Sequence, residues 1–194
     1  MRISLLTILL AAISLSLLAQ AEETDVPGKK AVYYNSFLAG GLLADQGQGT
    51  GVTLSMVHGV RVKRFSFGAG IGLDSYLDWK TLPVFGSVSF DFGKVKNNSF
   101  FVQCNAGYAE AWRIKQDEWR PSGYHEYGDM MISSVIGYRI TKERFSLYMQ
   151  AGHKFQTAHS SFHTEPWGSF APQSSYYVDE EMNRLVIQIG FGLH

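Results

Sequence analysis

The chain has 194 residues, 17 Lys plus Arg against 17 Asp plus Glu, and a single cysteine. That length suits one ordinary domain, and the balanced charge argues against a nucleic-acid binder, which would carry a basic excess. One thiol, Cys104, rules out an intrachain disulfide and a metal–thiolate cluster, while 14% aromatics, 20 glycines and only 18% charged residues suit β structure.

Residues 1–21 read MRISLLTILLAAISLSLLAQA: one Arg, a long apolar run, then Ala19-Gln20-Ala21. This is the pattern of a secretory leader with an A-x-A cleavage site, which leaves residues 22–194 as the folded domain. The run is short for a membrane anchor, and no later segment is long and apolar enough for a spanning helix.

Eight alternating segments follow. They are expected as strands over Val32–Leu43, Thr50–Val62, Phe65–Asp74, Leu82–Phe92, Phe100–Ala109, Met130–Thr141, Phe145–Phe155 and Asn183–Leu193. Short connections at Val62–Arg64, Gly93–Ser99 and Lys142–Arg144 alternate with longer ones at Ala44–Gly49, Ser75–Thr81, Glu110–Asp129 and Gln156–Met182. Short turns at one end and long loops at the other describe an all-β, eight-stranded, antiparallel up-and-down barrel.

The faces of the strands decide where such a barrel sits. In the third strand, Phe65, Phe67, Ala69, Ile71 and Leu73 alternate with Ser66, Gly68, Gly70, Gly72 and Asp74. In the eighth, Leu185, Ile187, Ile189, Phe191 and Leu193 alternate with Arg184, Gln188, Gly190 and Gly192. A soluble carrier barrel of the lipocalin type would point the apolar register inward and carry Lys and Glu outside. A transmembrane barrel reverses this, and its narrow lumen favours small residues with a few paired charges. The small register therefore predicts the transmembrane barrel. Asp74, Asp91, Arg139, Lys154 and Arg184 are expected to form its internal polar network, since buried charges must be paired.

Tyr33, Tyr34, Tyr76, Trp79, Tyr108 and Trp112 lie near strand ends, where amphipathic rings suit a membrane interface. The short turns hold Arg61, Lys63, Arg64, Lys94, Lys96, Lys142 and Arg144; the long loops hold most of the acids. Such basic turns either serve solubility or sit against anionic headgroups.

The leader, the paired strands, Leu82-Pro83-Val84-Phe85 opening a strand and the closing run LVIQIGFGL (Leu185–Leu193) carry a resemblance. The sequence resembles the small outer-membrane β-barrel proteins of Gram-negative bacteria, the OmpX-like or OmpA-like group often called the porin family. It departs from them at the very end, Leu193-His194, where that family has a terminal aromatic. The resemblance implies the cell outer membrane, a monomer with a filled polar interior and no cofactor, and contact with outer-membrane lipids and lipopolysaccharide.

Three functional readings remain open at the level of sequence. The first is a non-enzymatic barrel that supports the envelope or presents its loops to an extracellular protein or glycan. Loops 110–129 and 156–182 would be the working surface, with Trp119, Tyr124, Tyr127, Phe162, Trp167, Phe170, Tyr176 and Tyr177. The second is a lipid A acyl hydrolase, since some eight-stranded barrels deacylate lipid A with a His, a Ser and an acid. Here His159, Ser161 and Glu165 are the candidates, although Phe162 stands where that motif has Asn. A Ser nucleophile needs a His to accept its proton and an acid to orient the His. The third is a metal site at His159, His163 and Glu165, which has suitable ligand types but a loop-like context around Pro166.

Overall fold

Alternation of β-branched or aromatic side chains with small ones commits each segment to extended backbone, and each segment finds a partner on either side. The computed structural model describes residues 31–44, 49–95, 97–114, 124–164 and 174–194. The leader at 1–21 lies outside the described residues. The strands are β1 Val32–Leu43, β2 Gly51–Val62, β3 Phe65–Ser75, β4 Trp79–Val95, β5 Asn98–Arg113, β6 His125–Lys142, β7 Phe145–Thr164 and β8 Ser174–Leu193. Neighbours in sequence pair antiparallel, and β1 closes on β8 from Asn35↔Leu193 to Leu43↔Leu185. The sheet is a closed barrel.

Its polarity is inside-out. Phe65 and Ile189 are 48% and 63% exposed on the outer wall, while Gln188 is 7% exposed and Gly70 is buried on the inner one. A band of Leu, Ile, Val and Phe encircles the barrel; on β8 it runs from Leu185 to Leu193. About nine residues at ~3.3 Å each, tilted by ~40°, rise roughly 23 Å, close to the ~25 Å apolar band of a membrane barrel.

The inner wall explains the small register. Phe85 is the cross-strand partner of both Gly70 and Gly107, and a Cβ at Gly70 would stand 2.5 Å from Phe85 Cε2 and Cζ. Phe101 lies in the same way on its partner Gly137, and Tyr148 on Gly192, two residues along β8 from its register partner Gly190. Phe85 and Phe101 thus lie over neighbouring strands that have given up a side chain. Phe101 and Tyr148 then meet edge to face at 6.1 Å.

The inner wall is not uniformly polar, contrary to what the small and charged register predicts. Leu38, Leu42, Val57, Phe85, Phe101, Met131, Val135, Tyr148, Met182 and Val186 all point inward and are buried. Three of the six expected interface rings, Tyr34, Tyr76 and Trp79, are buried inside as well. Alternation is the reason: Tyr33 and Tyr34 cannot share a face, and Tyr76 follows Asp74 in the inward register.

The strands also outrun their expected ends: 110–113 and 125–129 of the first expected long loop are strand, as are 156–164 and 174–182 of the second. β7 and β8 pair as far as Thr164↔Ser174. Above the lipid band both faces meet water, so the apolar alternation that marks a half-buried strand is lost. A bulge in β6 between Gly128 and Met131 inserts one residue against β7, leaving Asp129 and Met130 both exposed.

Gly70→Ala is expected to destabilise the barrel by about 1–3 kcal/mol, through overpacking against Phe85. Phe85→Leu in the same chain should recover part of that loss, whereas Ile71→Trp should cost little. Urea unfolding in detergent micelles reads all three, and equal effects at positions 70 and 71 would reverse the assignment of faces.

Candidate functional site

The inward charges come together at two depths rather than in one network. Toward the loop end, Lys154 on β7 reaches Asp74 on β3, the strand diametrically opposite in the ring of eight. Thr81 Oγ1 donates to Asp74 Oδ2 and to Gln156 Oε1, each at 3.4 Å, and the Tyr76 hydroxyl donates to Gln156 Oε1 at 3.4 Å. Arg184 lies 5.5 Å above the Tyr76 ring, within cation–π range. Toward the turn end, Arg139 binds Asp91 and donates to Ser99 Oγ at 3.0 Å. Between the two levels Gln150 Nε2 donates to Gln188 Oε1 at 2.7 Å. Each cation stands beside a carboxylate or a ring, which offsets the desolvation of placing charge inside a protein.

A second contact crosses the loop-end mouth. Trp79 Nε1 donates to Glu180 Oε2 at 2.6 Å, linking β4 to the opposite strand β8. Arg113 on β5 holds the other oxygen of Glu180 at 2.5 Å and lies 5.1 Å over the Trp79 ring. The sequence alone does not place Trp79, Arg113, Gln156 and Glu180 together. Arg113 and Glu180 fell in stretches read as loops, and Trp79 was read as an interface ring.

Beyond this latch the barrel is lopsided. β1 stops at Leu43 opposite Leu185, while β7 and β8 continue as a ribbon. The ribbon exposes Tyr176 (50%) and Tyr177 (71%), and Phe162 stacks on Tyr176 at 5.4 Å. Trp119, Trp167 and Phe170 lie outside the described residues. A cleft of about 500 Å³ opens beside the ribbon between Tyr76, Leu77 and Trp79 on one wall and Glu180, Met182 and Arg184 on the other.

His159 sits on the outer face of β7, above the apolar band. Its Nδ1 donates to Asp179 Oδ1 at 2.6 Å and its Nε2 to Asp129 Oδ2 at 3.1 Å, and Tyr127 stacks on it at 5.1 Å. The β6 bulge is what brings Asp129 out to this position. Two carboxylate acceptors call for two N–H donors, so the imidazolium is favoured. The hydrogen bonds to Asp179 and then Asp129 raise the His159 pKa, and the bond from His159 lowers that of Asp129.

With both ring nitrogens held by carboxylates, His159 has none free to accept a proton from Ser161, the next residue on its face. In the sheet register Ser161 lies opposite His125 on one side and Tyr177 on the other. Glu165 and the side chain of His163 lie outside the described residues. Cys104 is exposed on the outer wall, 3.6 Å from Ser134 Oγ.

A closed eight-stranded antiparallel sheet, apolar outside and crossed by ion pairs inside, defines the architecture of the transmembrane β-barrels. Among solved structures the chain is similar to neisserial surface protein A, with 11% identity, 84% of this chain and 98% of that one covered, and a TM-score of 0.56. It is likewise similar to the outer membrane protein OprG from Pseudomonas aeruginosa, with 13% identity, coverage of 87% and 98%, and a TM-score of 0.53. These likenesses establish the fold. Neither a protein-family model nor a curated protein sequence matches the chain.

Two consequences can be measured. Lys154→Ala should strand the buried Asp74 carboxylate and cost about 3–5 kcal/mol, while Lys154→Met combined with Asp74→Asn should regain most of it. Additive losses in urea unfolding would show that the two side chains do not interact. For His159 the folded pKa lies above the model-peptide value of 6.5, so its contribution is complete below about pH 6.5 and fades as pH rises through the folded value. The cluster is exposed, so the effect belongs to the ribbon and stays under about 1 kcal/mol. Amide exchange in the ribbon should quicken as the pH is raised above 6.5 in the native chain and stay level in His159→Gln, once intrinsic rates are corrected.

Proposed function

We propose that this chain is a monomeric outer-membrane protein, exported by its leader, with a lumen closed to solute flow and a non-catalytic role at the cell surface. The β7–β8 ribbon carries this reading, because it extends past the end of β1 with Phe162, Tyr176 and Tyr177 stacked or exposed along it. Rings held on a short stiff ribbon offer large contact area with few rotamers to fix, which suits an extracellular protein or glycan. Closure to solutes is supported by the partnerships that cross the lumen: Trp79 with Glu180, Lys154 with Asp74, and Arg139 with Asp91. An eight-stranded tube is just wide enough for its own side chains. The outer wall faces lipid, with lipopolysaccharide around the ribbon end and no cofactor engaged. The engagement of both His159 nitrogens supports the non-catalytic reading over lipid A hydrolysis by His159, Ser161 and Glu165.

The mature protein should fractionate with the outer membrane and migrate faster unboiled than boiled in detergent gels. In planar bilayers it should carry no sustained current. Deleting its gene should leave the lipid A mass spectrum unchanged, and Tyr176→Ser with Tyr177→Ser should weaken binding to whatever matrix protein or glycan the native barrel retains on an array. A soluble periplasmic protein would defeat the membrane reading, and an altered lipid A acylation pattern the non-catalytic one.

A further inference from the structure

Two concavities at the turn end share the same two side chains. One is a notch of about 370 Å³ in the barrel mouth, lined by Arg61, Lys63, Arg64 and Arg139 with a single carboxylate, Asp91. Arg139 is already bound to Asp91. Among the described residues Arg61, Lys63 and Arg64 have no carboxylate within ion-pair distance. Arg61 is nevertheless fixed, since its Nε donates to Ser66 Oγ at 3.1 Å and its guanidinium lies 5.3 Å over the Tyr34 ring.

The other concavity is a groove of about 380 Å³ on the outer wall, floored by Val62, Phe65, Phe67 and Phe90 and bordered by the same Lys63 and Arg64. Phe65 packs 6.3 Å from Phe67 and 5.0 Å from Phe90, so the floor is one continuous aromatic surface. Lys63 has φ 59°, a left-handed conformation in which Gly or Asn is less strained. The turn is docked on β4 by Asp91 N donating to the Arg64 carbonyl at 2.8 Å. A strained lysine thus stands where the greasy groove meets the cationic notch.

We propose that this corner binds one anionic phospholipid from the leaflet at the turn end, its acyl chain along Phe65, Phe67 and Phe90 and its phosphate between Lys63 and Arg64, with Arg61 behind. A free phosphate would need the notch alone, and a zwitterionic lipid would bring its own ammonium group against Arg61, Lys63 and Arg64. Only an anionic lipid fills the groove and meets the shared cations without that repulsion. The acids Asp78, Asp179, Glu180 and Glu181 lie around the cleft at the opposite end, so the charge complementarity belongs to the turn end. This proposal rests on the membrane reading above, and its test separates the two.

Native mass spectrometry of the folded barrel, released from micelles holding equal phosphatidylglycerol and phosphatidylcholine, should show phosphatidylglycerol retained about tenfold over phosphatidylcholine. Lys63→Gly relieves the turn, so with Arg64→Gln it should keep the heat-shifted gel band and abolish the preference. Phe67→Ser should lower retention of both lipids and leave their ratio intact. Equal retention by the native chain, an unchanged preference in the double variant, or displacement of the lipid by millimolar inorganic phosphate would overturn the proposal. A barrel that shows the heat shift but no preference defeats the lipid site alone, and a chain that never enters micelles or bilayers defeats both readings.

Discussion

Hydrocarbon offers no hydrogen bonds, so every amide of a membrane-crossing sheet must find its partner in the sheet itself. Closing β1 on β8 meets that demand, and the other features follow from how little room eight strands enclose. Across so narrow a tube a large side chain can be tolerated only where its neighbours have none. Phe85 over Gly70 and Phe101 over Gly137 are instances between register partners, and Tyr148 over Gly192 is a diagonal one. Glycine therefore marks the footprint of a ring on this wall rather than a flexible backbone.

The same narrowness organises charge. A long side chain entering the lumen can reach the opposite wall, so Lys154 meets Asp74 four strands away and Trp79 meets Glu180 four strands away. These contacts tie strands that share no backbone hydrogen bond. They give the barrel cross-braces that the ladder alone does not supply, and they sit at the end where the strands continue unevenly into water.

Much of this was legible in the residues. β1 at Val32–Leu43, the outward register of β3 and β8, and the inward placement of Asp74, Asp91, Arg139, Lys154 and Arg184 all follow from period-two alternation. Which of these charges pair was not legible, because pairing depends on which strands face each other and at what depth. Alternation also failed for the apolar residues that point inward, such as Leu38, Phe101 and Val135, since a binary pattern assigns every large apolar side chain to the lipid. Above the band the signal stops altogether, which hid the upper parts of β5 to β8. His159 drew notice as a residue type, but Asp129 reaches it only through the β6 bulge, an extra residue that leaves no mark in composition.

The ladder between β1 and β8 joins the first and last strands of the chain, with Gly40 and Gly41 on one side and Gly190 and Gly192 on the other. It is the one seam whose two halves are farthest apart in synthesis, so it is the hem sewn last. Until Leu193 arrives opposite Asn35, the growing ribbon carries two raw borders, and any machinery that delivers this chain to a bilayer must shelter both of them to the end.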